Sequence, residues 1–221
     1  MLPFTIDQFF GVFEQYNQAI WPIHIVAYML GIAAIILTVK KTRYSDQAIS
    51  VILASFWAWM GIVYHLMYFR TINGAALGFG VLFIIQAIVW LLFGVIRPKL
   101  AFQLNTNPYA LTGILLIVYA MLIYPLLGTL LGHGYPRSPS FGAAPCPTTI
   151  FSFGLLLLTS AKVPKSVLLI PFLWALLGFT ASFLLGVRED SGLVVAGVVS
   201  VGLLLWRDRT TVQSGRRERY A

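Results

Sequence analysis

Long apolar runs without a single formal charge constrain this chain more than any other feature of its sequence. Seven such runs lie at about Trp21–Val39, Ala48–Phe69, Asn73–Ile96, Tyr109–Leu131, Pro147–Ala161, Ser166–Val187 and Ser191–Trp206, and none contains Asp, Glu, Lys or Arg. A helix needs about 20 apolar residues to cross the hydrocarbon core of a bilayer. Lipid offers the backbone no hydrogen-bond partners, so spanning segments close their bonds internally as helices. The pattern predicts an all-α integral membrane bundle of seven transmembrane helices, the fifth and seventh being short. Charged residues make up 10% of the 221, against about a quarter in soluble domains, which agrees.

Orientation follows from the gaps. Lys40, Lys41, Arg43, Arg97, Lys99, Lys162, Lys165, Arg207, Arg209, Arg216, Arg217 and Arg219 fall on one side, twelve in all, whereas Arg70, Arg137 and Arg188 fall on the other. Short loops rich in Lys and Arg stay in the cytoplasm, so the N-terminus is expected outside. The formal charge of +8 is thereby assigned to loops and a tail, and no nucleic-acid partner is expected. Membrane lipid is the expected surrounding, and anionic headgroups suit a basic tail.

The chain divides into three expected parts: an interfacial amphipathic helix at 1–20, the bundle at 21–206 and a basic cytoplasmic tail at 207–221. Thr5-Ile6-Asp7-Gln8 has the form of a capping box. Ile6, Phe9, Phe10, Phe13 and Asn17 follow at helical spacing, as in a helix lying in the membrane plane. The start lacks the basic residues that precede the apolar core of a cleaved signal peptide. Gly74 and Gly78 form a GxxxG pattern, and Gly192, Ala196 and Gly197 thin the last run, as at close helix contacts.

With charges outside the runs, histidine, cysteine and buried amides carry the candidate chemistry. His24 near the start of the first run and His65 near the end of the second should both lie about one turn below the outer interface. His133 and the only cysteine, Cys146, fall in or beside the outer gap HGYPRSPSFGAAPCP, and Glu14 can join them. Imidazole and thiolate suit a soft transition-metal ion, so His24, His65, His133, Cys146 and Glu14 are candidate ligands. No close ligand spacing supports this, and interfacial histidines bonded to backbone carbonyls are the plainer explanation. In FGAAPCPTT, Pro147 suits the first position of a helix, with Cys146 as N-cap and the helix dipole favouring its thiolate. Gly142-Ala143-Ala144-Pro145 can dip into the bundle as irregular backbone. Trp21, His24 and Tyr28 share one helical face, as do Trp57 and His65. Together with Gln86 and Thr149 they complete a candidate pocket of His24, Tyr28, Trp57, His65, Gln86, Cys146 and Thr149. Gln86, deep in the third run, is more often interhelical glue than a ligand. Carboxylate proton relays are disfavoured because the runs hold no acid, and no catalytic motif of a hydrolase or nucleotide-binding enzyme is present.

In the stretches MLPFTIDQFFGVFEQYNQAIWP and FGAAPCPTTIFSFGLLLL the chain resembles an uncharacterised family of bacterial integral membrane proteins of about this size. That family is catalogued as a domain of unknown function, and some members carry automatic MFS transporter permease labels. The resemblance spans the whole chain and implies a multi-pass protein of the bacterial cytoplasmic (inner) membrane. It brings no catalytic residues, and two six-helix permease halves do not fit this length. The expected function is a non-enzymatic transporter or permease for a small ion or solute with an outward-facing polar pocket, compatible with a homo-oligomer. The alternative is a non-transporting sensor or scaffold subunit acting through a partner protein. A third possibility, an enzyme using Cys146 as nucleophile, lacks a visible base.

Overall fold

The computed structural model describes residues 3–217, and side chains throughout that range except at 179, 181 and 211–217. Helix α1 (Ile6–Ala19) starts at the expected capping box, in which Gln8 N–H donates to Thr5 Oγ1 and Thr5 N–H donates to Gln8 Oε1. Two free backbone donors are satisfied at once. Helix α2 (Ile23–Val39) leaves at 86° to α1. Helix α3 (Ser45–Trp59) runs on as a π-helix, Met60–Tyr68, and a 3-10 turn, Phe69–Thr71. Helix α4 (Ala76–Leu91) ends in a π turn, Leu92–Ile96. Helix α5 (Pro108–Val118) starts where Asn107 Oδ1 accepts from Ala110 N–H, with Pro108 at its first position. It passes through a π turn, Tyr119–Ile123, into α6 (Tyr124–Leu130). Helices α7 (Pro145–Leu157), α8 (Lys165–Leu184) and α9 (Ser191–Arg217) follow. Among the described residues, sheet pairing is confined to one bridge, Phe102 with Thr159.

Among the described residues, five stretches are long and apolar enough to cross a membrane: Ser45–Thr71, Ala76–Ile96, Pro108–Leu130, Lys165–Leu184 and Arg188–Thr210. The first expected run qualifies only jointly, as the bent pair of α1 and α2, which raises the count to six rather than seven. The run expected at Pro147–Ala161 falls short because α7 has 13 residues, about 20 Å at 1.5 Å per residue. Every residue of α7 is buried except Cys146, which is half-buried. A helix apolar on all sides belongs inside a bundle, and α7 is the central post of this one.

Around it, large apolar side chains face outward. Met29, Ile88, Leu115, Leu169 and Val195, on α2, α4, α5, α8 and α9, are each more than half exposed. An apolar belt of that breadth costs free energy in water and none in lipid. Inside, α5 and α7 touch backbone to backbone: a Cβ on Gly113 would lie 2.6 Å from the Gly154 carbonyl oxygen. Gly61 meets the Gly80 carbonyl in the same way, at 2.9 Å. Gly74 and Gly78, the expected contact pair, face open space, and the tight approach of α4 to the Met60–Tyr68 segment is made two residues on, at Gly80.

Loops gather at two ends. At one, Lys41 donates to Asp46 and to the Phe102 carbonyl, and the Arg207 guanidinium donates to the carbonyls of Thr159 and Ala161. Helix α9 continues past Trp206, so Arg207 and Asp208 belong to the bundle rather than to a separate tail. Arg219 and the side chains of Arg216 and Arg217 lie outside the described residues. At the other end α1, the 131–144 loop and the turn before α9 converge.

Candidate functional site

The convergence is built on irregular helix. A π-helical segment carries an extra residue per turn and often marks a functional position. Tyr64 and His65 sit on one such segment, and Tyr119 opens another that is followed directly by Tyr124. Opposite them, Gly186 at φ +72 ends the turn after α8, and the 3-10 turn Arg188–Asp190 leads into α9. Glu189 and Asp190 are each only 1% exposed. Gly192 lets the Tyr119 ring press against the first turn of α9, where a Cβ would lie 2.5 Å from the ring. From there Tyr119 Oη donates to the Glu189 carbonyl at 2.8 Å. Tyr124 Oη donates to Asp190 Oδ1, and His133 Nε2 pairs with Glu189 Oε1 at 2.7 Å. Glu189 Oε2 is buried with no hydrogen-bond partner among the described residues.

The two acids are served differently. Glu189 has an imidazole beside it, whereas none of the ion pairs among the described residues involves Asp190. Tyr124 and the adjoining Cys146 thiol face the Asp190 carboxylate, and Trp174 adjoins the same sulfur. Removing a carboxylate from water costs several kcal/mol even after relaxation, and neutral donors recover only part of that. Ionisable groups held at such positions in apolar bundles usually serve function.

Asp190 and Cys146 line a cavity of about 150 Å³ whose other walls are largely aromatic. Tyr64, Phe69, Phe79 and Trp174 come from the bundle, and Phe9 and Phe13 come from α1, which forms the roof. Phe13 stacks on Tyr64 with ring centroids 5.2 Å apart. The buried face of α1 is Phe9, Val12, Phe13, Tyr16 and Asn17, so this helix docks on protein, and Ile6 of the expected apolar stripe is exposed. Tyr16 Oη donates to the Ala143 carbonyl and accepts from Trp59 Nε1, both at 2.8 Å. Asn17 Nδ2 donates to the carbonyls of Pro136 and Ser138, while its Oδ1 meets His24 Nε2 at 3.1 Å. On the exposed face of α1, Arg137 pairs with Asp7 and Glu14.

A second cavity, of about 400 Å³, holds His24 and Tyr28 in its wall. Pro139 lines both cavities, so the 131–144 loop separates them. Gly142 at φ +75 lies where a Cβ would stand 2.5 Å from Ala27 Cβ. Phe141, Ala143 and Ala144 are buried irregular backbone, which is tolerated where protein surrounds it.

The remaining sequence candidates are dispersed. Tyr28 Oη donates to the Met121 carbonyl, Trp57 Nε1 donates to Ser152 Oγ, and Gln86 Nε2 donates to the Val167 carbonyl. Thr149 is buried within α7. His65 is packed among Tyr64, Phe69, Phe79, Phe83 and Trp174, and both its ring nitrogens lack a hydrogen-bond partner among the described residues. No three His, Cys, Asp or Glu among the described residues are grouped as a metal ion requires. The shared soft-metal centre of His24, His65, His133, Cys146 and Glu14 is therefore not assembled. His24 turns to Asn17, His133 to Glu189 and Glu14 to Arg137.

Cys146 is not the N-cap either. Pro145 opens α7, Ala144 caps it, and Cys146 is its second residue. A thiolate there would place a second negative charge against Asp190, which opposes the expected activation by the helix dipole. The sequence reading missed Glu189 and Asp190, because they stood in the gap before the last run. The available signal was two adjacent acids, out of seven in the chain, at the head of an apolar helix, where acids suit the dipole.

Fold and site together define an all-helical bundle with several helices apolar enough to span a membrane and a small cavity, rich in aromatic side chains, with a buried acid in its wall. The chain belongs to a family of unknown function, DUF6064, whose model matches residues 6–214. No curated protein and no solved structure matches it.

Proposed function

We propose that this protein is a small-solute transporter or permease of the bacterial cytoplasmic membrane, with the cavity beneath α1 as its solute site. The observation that carries this reading is a buried carboxylate, Asp190, free of ion pairs among the described residues and lining a small cavity beneath α1. Seven crossings with the N-terminus outside fit it best. Helix α2 runs from the Asn17–His24 contact to a far end where Leu104 N–H donates to the Thr38 carbonyl. Helix α7 runs from beside Tyr16 to the Phe102–Thr159 bridge at that same far end. The far end also holds most of the Lys and Arg residues, as a cytoplasmic face does. In this reading the His24 cavity is the outer vestibule, the 131–144 loop its floor, and α1 the lid.

Uptake of radiolabelled cationic, neutral and anionic small solutes into proteoliposomes tests the proposal, with wild type and Asp190→Asn compared at equal protein. At least one solute should enter above protein-free vesicles and fall to that background in the variant. No uptake of any solute, or full uptake by Asp190→Asn, would remove the reading.

A further inference from the structure

We propose that the cavity's ligand is a small organic monocation of the alkylammonium type, an assignment that rests on the cavity being the solute site. Three features of the wall converge on that chemistry. Its volume, about 150 Å³, is that of an apolar cavity admitting a molecule of roughly benzene size. This leaves room for a cation of about five heavy atoms and not for a hydrated one. Its polar wall includes one carboxylate, Asp190, held by a tyrosine hydroxyl and with no arginine, lysine or histidine paired to it among the described residues. A bound cation supplies the missing countercharge; an anion would add a like charge.

The third feature is the rings. Trp174, Tyr64, Phe69 and Phe79 of the bundle line the cavity together with Phe9 and Phe13 of α1. Aromatic faces attract a cation through their quadrupole, most strongly at Trp and in a desolvated site. A compact metal ion or ammonium holds its water too tightly to trade it for ring faces, and His, Cys, Asp and Glu do not gather into a metal-binding group among the described residues. An alkylated ammonium is large, weakly hydrated and apolar at its surface, matching both the rings and the carboxylate. Because α1 contributes Phe9 and Phe13, ligand binding also stabilises the closed lid.

Tetramethylammonium chloride is the probe, titrated into the purified full-length protein and followed by calorimetry. Sodium chloride controls for ionic strength, and tert-butanol is a neutral molecule of the same shape. Saturable binding of tetramethylammonium, with tert-butanol at least about 10-fold weaker, is expected. Asp190→Asn and Trp174→Leu should each weaken the cation at least about 10-fold, while Trp206→Phe, exposed on α9 and outside the cavity, leaves it unchanged. Should Asp190→Asn fail to fold, Trp174→Leu and the tert-butanol comparison still decide. Equal affinity for the two probes, or no binding of tetramethylammonium, overturns the assignment. If neutral or anionic solutes are taken up through Asp190 and the cation does not bind, this assignment fails and the transport reading stands. If the cation binds and no solute crosses, the transport reading fails and the assignment stands.

Discussion

At the scale of single residues, the Tyr124–Asp190 contact and the Gln86–Val167 contact look alike as buried hydrogen bonds and should behave differently. Tyr124→Phe removes a donor from a carboxylate, and hydrogen bonds to charged groups contribute about 1.5–3 kcal/mol. Unfolding of the variant in detergent should show a loss in that range, together with reduced uptake. Gln86→Leu removes a neutral bond between helices, and such bonds average about 0.6 kcal/mol in membrane bundles. It should cost less than about 1 kcal/mol and leave uptake unchanged. Equal losses from the two changes would mean that Asp190 is protonated and ordinary.

That several polar residue types gather at the α1 end of the bundle was legible in the sequence; their partners were not. His24, His133, Cys146 and Glu14 all map there. The long-range contacts at this end, however, join Asn17 to Pro136, His133 to Glu189 and Asp7 to Arg137 across separations of 56 to 130 residues. No local spacing encodes such pairings. The acids at 189 and 190 were counted as loop because charge at the edge of an apolar run reads as the edge itself.

At the scale of elements, small residues decide which helices touch. Gly113 and Gly154 carry the α5–α7 crossing, so Gly113→Val forces a branched side chain into a carbonyl. Overpacking of this kind typically costs about 1–3 kcal/mol. Gly78 faces open space on α4, so Gly78→Ala should be neutral or stabilising by about 0.5–1 kcal/mol, the helix cost of glycine. Thermal unfolding of both variants checks the pair, and the reverse order would refute the packing described. Existence of the helices was legible from their apolar runs, and the capping box of α1 from four residues. The π segments at Met60–Tyr68 and Tyr119–Ile123 were not, since a widened turn leaves the apolar composition of a run unchanged.

The lid belongs to this scale too. Arg137 bridges Asp7 and Glu14 on an exposed surface, with Asp7 89% exposed, and exposed ion pairs contribute little. Tyr16 and Asn17 make buried bonds to the 131–144 loop. Asn17→Ala should therefore raise proteolysis of α1 in the folded protein, while Asp7→Asn should not. Equal protection in both would mean that α1 is held by its phenylalanines alone.

At the scale of the whole molecule, α7 explains how a helix too short to cross on its own serves as the centre of the bundle. Its residues are surrounded by protein, so its length is set by the helices around it, and those helices carry the outward-facing apolar belt. The apolar runs revealed the bundle, but a count by length could not distinguish a lipid-facing span from an enclosed post. The same arrangement places Cys146, the chain's only cysteine, at the inner wall of the cavity and beneath α1. It is a built-in probe of the site.

Labelling of Cys146 with a membrane-impermeant thiol reagent tests the central claim most directly. In wild-type cells the reagent applied from outside should react slowly. Phe9→Ala with Phe13→Ala, which thins the lid, should speed labelling at least several-fold, and reagent confined to the cytoplasm should label neither protein. Labelling from the cytoplasmic side, or a rate from outside that ignores the two phenylalanines, would contradict an outward-facing cavity closed by α1.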